Sequence, residues 1–345
     1  MKELIIILLA FTPFFNCVGQ ENGNFNIGQI SRSYMDDSRN RPLVTEVWYP
    51  TYDTLSKNII PERKRELFKT INTILNASIP DGKFPLLLVS HGTGGNRFSL
   101  TWFVERMVRE GYIVAAVDHY GNSTFNKIPR EFVKWWERAI DIQYVLTTLL
   151  KEEDIGPKID ESRIGGVGFS LGGYTNIALA GGYVDRNITN EEESELPPEF
   201  PVTDEVIDFK NDSLIISSYN TYGKQVKDAR IKAFFTMAPA IGFGFHNKEQ
   251  TKEITAPIFI VAGKGDINTP IKNNALKYHK LIETSQLYLF DGDVNHYVFL
   301  NEPTDFGKQV APEITIDPQG VDRAAIHNKV LELAIDFFNK ILLKK

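Results

Sequence analysis

A serine framed by glycines, Gly168-Phe169-Ser170-Leu171-Gly172, stands between an apolar run from Arg163 to Val167 and a helix-like stretch that begins at Leu171. A serine that attacks a carbonyl has to be lifted out of a sheet on a sharp strand-to-helix turn. Glycines on either side let backbone and helix approach where a Cβ would collide. Gly173 extends this small-residue patch. The five-residue pattern is weak alone, because an ordinary glycine-rich turn produces it too. Its weight comes from the strand before it, the helix after it, and partners downstream in the order such a nucleophile requires.

A serine hydroxyl is a poor nucleophile at neutral pH and needs a base within reach and a carboxylate to orient that base. The chain has six histidines. His279 and His327 lie inside helix-like stretches beside lysine and asparagine and read as exposed surface residues, and His246 lies in a loop with no apolar anchor. His91 and His119 each follow an apolar run and read as loop scaffolding at the same sheet edge. His296, in Asp293-Val294-Asn295-His296-Tyr297-Val298, follows the last strand-like run, where the base belongs in the chain order Ser, acid, His. The acid should end a strand between the two. After Ile231 to Met237 comes Ala238-Pro239-Ala240-Ile241, without a carboxylate, whereas Pro257 to Ala262 is followed by Gly263-Lys264-Gly265-Asp266. Asp266 is therefore the expected orienting carboxylate. Asp291 and Asp293 are too close to His296 along one loop to reach its far ring nitrogen and are expected to shape the turn.

The oxyanion of an acyl-transfer intermediate needs two backbone N–H donors. One is that of Leu171, directly after the nucleophile, and the other lies in the loop His91-Gly92-Thr93-Gly94-Gly95, with Thr93 the favoured donor. A phosphate-cradling role for this loop lacks the Lys-Ser/Thr sequel and any G-x-G-x-x-G, and no histidine or carboxylate cluster has metal-ligand spacing. Neither metal nor cofactor is expected.

These residues must be positioned by a scaffold, and strand-like and helix-like patterns alternate along the chain. Leu43 to Tyr49, Phe84 to Ser90, Tyr112 to Asp118, Arg163 to Val167, Ile231 to Met237, Pro257 to Ala262 and Gln286 to Phe290 read as strands. Several are solidly apolar, as parallel strands buried on both faces are. Phe98 to Arg109, Glu131 to Leu150, Leu171 to Gly182, Ile271 to Glu283 and Asp322 to Leu343 carry apolar residues at helical spacing, with Trp135 and Trp136 read as core packing. Two insertions break the alternation. Residues 51–83 are polar with a helix-like piece from Pro61 to Ala77, and residues 183–229 are acidic and proline-marked. The second would lie at the C-terminal edge of the sheet as a candidate cap. Its apolar part, Leu214 to Tyr222, would either line the site or anchor the insertion, and Glu191 to Glu195 would stay in water.

With 345 residues, 42% of them hydrophobic, the chain can bury one large core, and a single domain spanning residues 20–345 with two insertions is expected. A net charge of −6 and a pI near 5.6, without a long basic run, argue against nucleic acid as a partner. Lys2, the apolar run Leu4 to Phe15 and the small residues around Gly19 read as an export signal, residues 1–19, too short to span a bilayer. Two outcomes stay open: cleavage after Gly19, giving a secreted or periplasmic protein, or lipidation of Cys17, giving a membrane-anchored lipoprotein. Cys17 is the only cysteine, so thiol-nucleophile chemistry and an intramolecular disulfide are both excluded.

Taken together, Ser38-Arg39-Asn40-Arg41-Pro42 leading to Val47-Trp48-Tyr49-Pro50, Ser90-His91-Gly92, Val117-Asp118-His119, the Ser170 elbow, Gly265-Asp266 and His296-Tyr297 resemble the α/β-hydrolase superfamily. More narrowly, they are similar to its dienelactone-hydrolase-like branch that shades into platelet-activating-factor acetylhydrolases. The resemblance covers the chain from about residue 28 onward. It implies an α/β-hydrolase fold, a mainly parallel sheet with helices on both faces. It also implies a serine esterase acting through Ser170, His296 and Asp266 on a small-molecule or lipid ester. Dienelactone hydrolases use a cysteine nucleophile, so the lactone substrate does not carry over. A lipase or phospholipid deacylase with a capped acyl pocket is the second reading. A catalytically silent binding protein on the same fold is the third.

Overall fold

The computed structural model describes residues 25–55, 65–186, 208–224 and 226–343. The proposed export signal with Cys17, and the acidic run Glu191 to Glu195, lie outside the described residues.

Among the described residues, eleven strands follow in chain order: β1 (Asn26–Asp36), β2 (Arg41–Thr51), β3 (Ile74–Leu75), β4 (Phe84–Ser90), β5 (Ile113–Val117), β6 (Asn122–Ser123), β7 (Asn126–Lys127), β8 (Ile159–Phe169), β9 (Ile231–Met237), β10 (Ile258–Gly263) and β11 (Ser285–Phe290). Nine of them form one sheet in the order β11-β10-β9-β8-β4-β5-β2-β1-β3, and β6 and β7 make a small hairpin. From β11 to β5 every neighbouring pair is parallel, while β2 runs antiparallel to both β5 and β1. Nine α-helices accompany them among the described residues: α1 (Thr101–Arg109), α2 (Pro129–Phe132), α3 (Glu137–Leu149), α4 (Leu171–Ala180), α5 (Ser213–Tyr222), α6 (Ala275–Leu281), α7 (Asp305–Val310), α8 (Pro312–Thr315) and α9 (Arg323–Phe338).

The two-residue period of a strand sends alternate side chains to opposite faces, which creates two cores. Leu86, Leu88, Ile113 and Ala115 face one side, where Ile142 and Leu146 of α3, Ile177 of α4 and Tyr278 of α6 cover them. Leu87, Val89, Val114 and Ala116 face the other, under Phe103 and Met107 of α1 and Val330 and Phe337 of α9. With both faces covered, the central strands have to be apolar throughout, which is why they stand out in the sequence. The parallel direction also gathers the C-terminal ends of β4, β5, β8, β9, β10 and β11 on one edge. The chain steps from β4 to β5 on one side and later returns to place β8 on the other, so a crevice opens where β4 and β8 meet.

Three features depart from expectation. Strand β1 carries Gln29, Ser31, Arg32 and Ser33, too polar to be conspicuous; Gln29 and Ser31 donate to the buried Glu46 of β2 at 2.7 and 2.9 Å. The helix-like piece from Pro61 to Ala77 contains no helix over its described part. Its backbone donors and acceptors are committed to distant chain, Lys69 N to Glu302 O, Thr304 N to Leu67 O and Asn76 N to Gln29 O, so none can close a helical turn. The single helix expected from Glu131 to Leu150 is broken between Phe132 and Glu137, because the paired tryptophans serve different partners. Trp135 is half-buried against Phe209 and Phe243, whereas Trp136 is sealed beneath Tyr219 with its Nε1 donating to Ser218 Oγ at 2.8 Å.

The apolar part of the second insertion is helix α5, capped by Asp212, whose side chain accepts from the N–H groups of Leu214 and Ile215. It docks on α3: Ser218 bonds Glu137, Tyr219 OH donates to Val184 O at 2.6 Å, and Ile215 is fully buried. Leu214 is 59% exposed. An Ile215→Ala change should therefore lower stability by about 2–4 kcal/mol in urea unfolding, whereas Leu214→Ser should stay within ~0.5 kcal/mol. Equal effects of the two would refute this orientation of the helix.

Candidate active site

Ser170 is the one residue between β8 and α4, and its backbone is left-handed, at φ 55° and ψ −119°. That conformation is strained for any residue with a Cβ and is held by its surroundings. Ser170 N donates to Met237 O at 2.9 Å, and Ser170 O accepts from Gly173 N at 2.8 Å and Ala240 N at 3.0 Å. The glycines are required by close approach. A Cβ on Gly168 would overlap the Gly172 carbonyl, and one on Gly172 would overlap the carbonyl of Ser90 at the end of β4. Ala238 and Ile241, in the segment that grips Ser170, also have positive φ, 43° and 62°. Nothing in the types of these two residues signals such strain.

The side chains of Ser170, His296 and Asp266 come together. His296 Nε2 lies 2.9 Å from Ser170 Oγ, and His296 Nδ1 lies 2.7 Å from Asp266 Oδ2. The serine hydroxyl thus donates to Nε2 and the Nδ1–H donates to the carboxylate. Asp266 is fixed further by Thr269 Oγ1–H on Oδ2 at 2.7 Å and by the N–H groups of Asn268 and Thr269 on Oδ1 at 2.9 and 2.8 Å. Burial pushes the Asp266 carboxyl up, but the His296 contact and the Thr269 donors outweigh it and hold it below the ordinary value, so it stays ionised. The Asn268 and Thr269 donors were not anticipated; the signal was an aspartate three residues ahead of a threonine after a strand, which favours such a local turn.

Glycines admit the base loop as well. Gly263 and Gly265 pack against the backbone of Val294 and Asp293, where side chains would collide, and Gly265 N donates to Val294 O at 3.1 Å. Asp291 and Asp293 are exposed, and Asp291 pairs with Lys264. The turn that carries the base, His296–Phe299, is clamped from outside. Trp102 Nε1 donates to Phe299 O at 2.9 Å, and His327 Nε2 donates to Val298 O at 2.8 Å. His327 is therefore no surface residue: it is 4% exposed and stacked on Trp102 at 3.7 Å between ring centroids, because this face of α9 packs against α1.

His91 and His119 are also buried, at the ends of β4 and β5. The loop between β4 and α1 lies beside the nucleophile, and a side chain at Gly92 would rest against Ser170 Cβ. In that loop Gly94 N donates to Asn122 Oδ1 and Gly95 N to Gly92 O. Among the described residues no acceptor engages the N–H of Thr93 or of Leu171.

The family model of platelet-activating factor acetylhydrolase, isoform II, matches residues 68–131, the stretch that contains β4, the His91–Gly95 loop, α1 and β5. Among solved structures, the ferulic acid esterase from Streptomyces cinnamoneus superposes with a TM-score of 0.57 at 16% identity, covering 93% of this chain and 91% of that one. No curated protein matches the sequence. The chain shares its α/β fold with that esterase. The likeness is one of fold, and the stretch matched by the family model includes the loop after β4 whose Gly92 lies beside Ser170.

The buried histidines make the enzyme acid-labile. Burial, the largest influence, pulls His327 down from 6.5 to about 4, and burial with the nearby Arg138 charge pushes His91 and His119 well down too. Each is neutral in the fold but takes up a proton when unfolded below pH 6.5, so the unfolded state binds more protons and stability falls as pH falls. His327 alone should cost roughly 3 kcal/mol between pH 7 and 4. Thermal melts should show the midpoint dropping steadily over that range, with a shallower slope for His327→Gln. A flat profile would rule out the neutral buried histidines.

Proposed function

We propose that this hydrolase cleaves carboxylic esters through an acyl-enzyme on Ser170. His296 takes the serine proton through Nε2 as Oγ attacks the ester carbonyl, then returns it to the leaving alcohol. Asp266 holds the Nδ1–H tautomer and balances the imidazolium charge. The N–H groups of Thr93 and Leu171 receive the developing oxyanion, and water, activated by the same imidazole, frees the acid. The observation that carries this reading is the unbroken contact from Ser170 Oγ to His296 to Asp266, at 2.9 and 2.7 Å, on a backbone strained at the serine. The N-terminal segment supports export, with either release after Gly19 or lipidation of Cys17 as its end point. The family-model match over residues 68–131 favours, as a second reading, a phospholipid-borne ester as substrate.

Ser170→Ala should lower turnover of p-nitrophenyl esters by roughly three orders of magnitude or more with the fold retained by circular dichroism. Near-parental turnover would end the assignment. Asp266→Asn should reduce kcat far more than Asp291→Asn or Asp293→Asn. A panel of esters of increasing chain length, assayed with phosphatidylcholine carrying a short sn-2 acyl group, separates the two substrate readings.

A further inference from the structure

Beneath the loop that follows β4 lies a network that the reaction itself does not use. Ser90 Oγ is 2.9 Å from His119 Nε2, and His119 Nδ1 is 3.0 Å from Asp141 Oδ2. The order of groups repeats that of Ser170, His296 and Asp266, but Ser90, His119 and Asp141 are all sealed from solvent, so no substrate reaches them. Asp141 is bracketed by Arg39 and Arg41, each 3.0 Å away as an ion pair, and Arg41 also pairs with Glu131 and Glu137 at 2.6 and 2.9 Å. The carboxylates around Arg41 outweigh the effect of burial and hold it firmly charged.

Arg138 differs from those two. It is fully buried in the first turn of α3, and all its bonds go to neutral groups: Nη2 donates to the His91 carbonyl and, at 3.3 Å, to Ser90 Oγ, while Nη1 reaches Asn122 Oδ1 at 3.5 Å. The same Asn122 oxygen accepts the Gly94 N–H at 2.9 Å, and Asn122 Nδ2 has no partner. The amide orientation is therefore set by two donors facing its oxygen; the flipped amide would set donor against donor. One guanidinium thus holds the His91 end of the His91–Gly94 segment directly and the Gly94 end through Asn122. Thr124, on the hairpin that begins at Asn122, donates through Oγ1 to Gly94 O at 2.9 Å and through N to Gly95 O at 2.7 Å. Between these fixed points sits Thr93, with its N–H uncommitted.

A buried cation without a direct carboxylate partner is costly, and its partners here are the Ser90 hydroxyl, the His91 carbonyl and the Asn122 amide, which in turn holds Gly94. We propose that Arg138 and Asn122 are positioning residues for the oxyanion hole: they hold the His91–Gly94 segment so that the Thr93 N–H faces the carbonyl oxygen attacked by Ser170. This rests on the esterase reading above. The charged donor on the His91 carbonyl also polarises the peptide it belongs to, while Ser90, His119 and Asp141 brace Arg138 from below.

The test uses the full-length enzyme with p-nitrophenyl esters and an alkyl boronic acid as a mimic of the tetrahedral intermediate. Asn122→Ala and Arg138→Lys should each lower kcat by roughly 10- to 100-fold with KM changed less than about 3-fold, and should weaken boronic acid binding by the same factor as kcat/KM. The double variant should lose little more than the worse single variant, since both act through one loop. Should Arg138→Lys not fold, Asn122→Ala, which leaves every charge in place, decides alone. A folded Asn122→Ala enzyme with kcat within about twofold of the parent, or with its loss confined to KM, overturns the positioning role. Ser170→Ala separates the two ideas: if it is inactive while Asn122→Ala is unaffected, only the positioning role falls, and if Ser170→Ala is active, the esterase reading itself falls.

Discussion

The geometry of this enzyme depends on one strained backbone position, Ser170 at φ 55°. A serine with that φ persists only where its neighbours over-determine it. Here Met237, Gly173 and Ala240 bond its peptide groups, and Gly168 and Gly172 let β8, α4 and the end of β4 crowd within a distance that no side chain permits. The turn aims Oγ at His296 and starts helix α4 immediately afterward, leaving the first N–H of that helix unpaired beside the nucleophile. The proposed nucleophile and one proposed oxyanion donor thus arise from the same turn. The strain extends to Ala238 and Ile241 in the segment that grips the serine from β9, so three non-glycine residues with positive φ gather at one edge of the sheet.

Around that turn the chain supplies rigid supports of two kinds. The base and acid are held by backbone: the donors of Asn268 and Thr269 fix Asp266, and Trp102 and His327 fix the carbonyls of the turn that carries His296. The loop after β4 is held by buried charge, with Arg138 bonding its His91 carbonyl and Arg39, Arg41, Glu131, Glu137 and Asp141 locked together behind it. Ionic groups in such a place add little net stability, since desolvation cancels most of their attraction, but they tolerate few alternative arrangements. Their directional bonds help to fix a loop rich in glycine, in which three of the five residues have no side chain to fix it.

The described part of the second insertion is anchored rather than loose. Helix α5 lies on α3 through Trp136, Ser218 and Tyr219, so the insertion returns to the main domain on the same helix that bears Arg138. Helix α3 therefore carries both the support of the oxyanion loop and the dock of the insertion.

Much of this was legible in the sequence, for identifiable reasons. Parallel strands covered on both faces must be apolar throughout, so β4, β5, β9 and β10 announce themselves within a residue or so of their true ends. The roles proposed for Ser170, Asp266 and His296 each demand a particular residue type at the end of a particular strand, so chain order alone singles them out. What stayed hidden depends on partners distant in sequence. Strand β1 is polar because its side chains bond Glu46, and residues 65–77 form no helix because their backbone groups bond Glu302, Thr304 and Gln29. His327 looked exposed because nothing local revealed that Trp102, over two hundred residues earlier, would stack on it. Arg138 and Asn122 carry no motif at all. The sequence by itself determined the sheet and singled out the residues to which the proposed chemistry is assigned, since local patterns and residue types encode both. Only the tertiary structure decided which buried groups hold the loop and the base in place, because those bonds join residues whose proximity no spacing along the chain records.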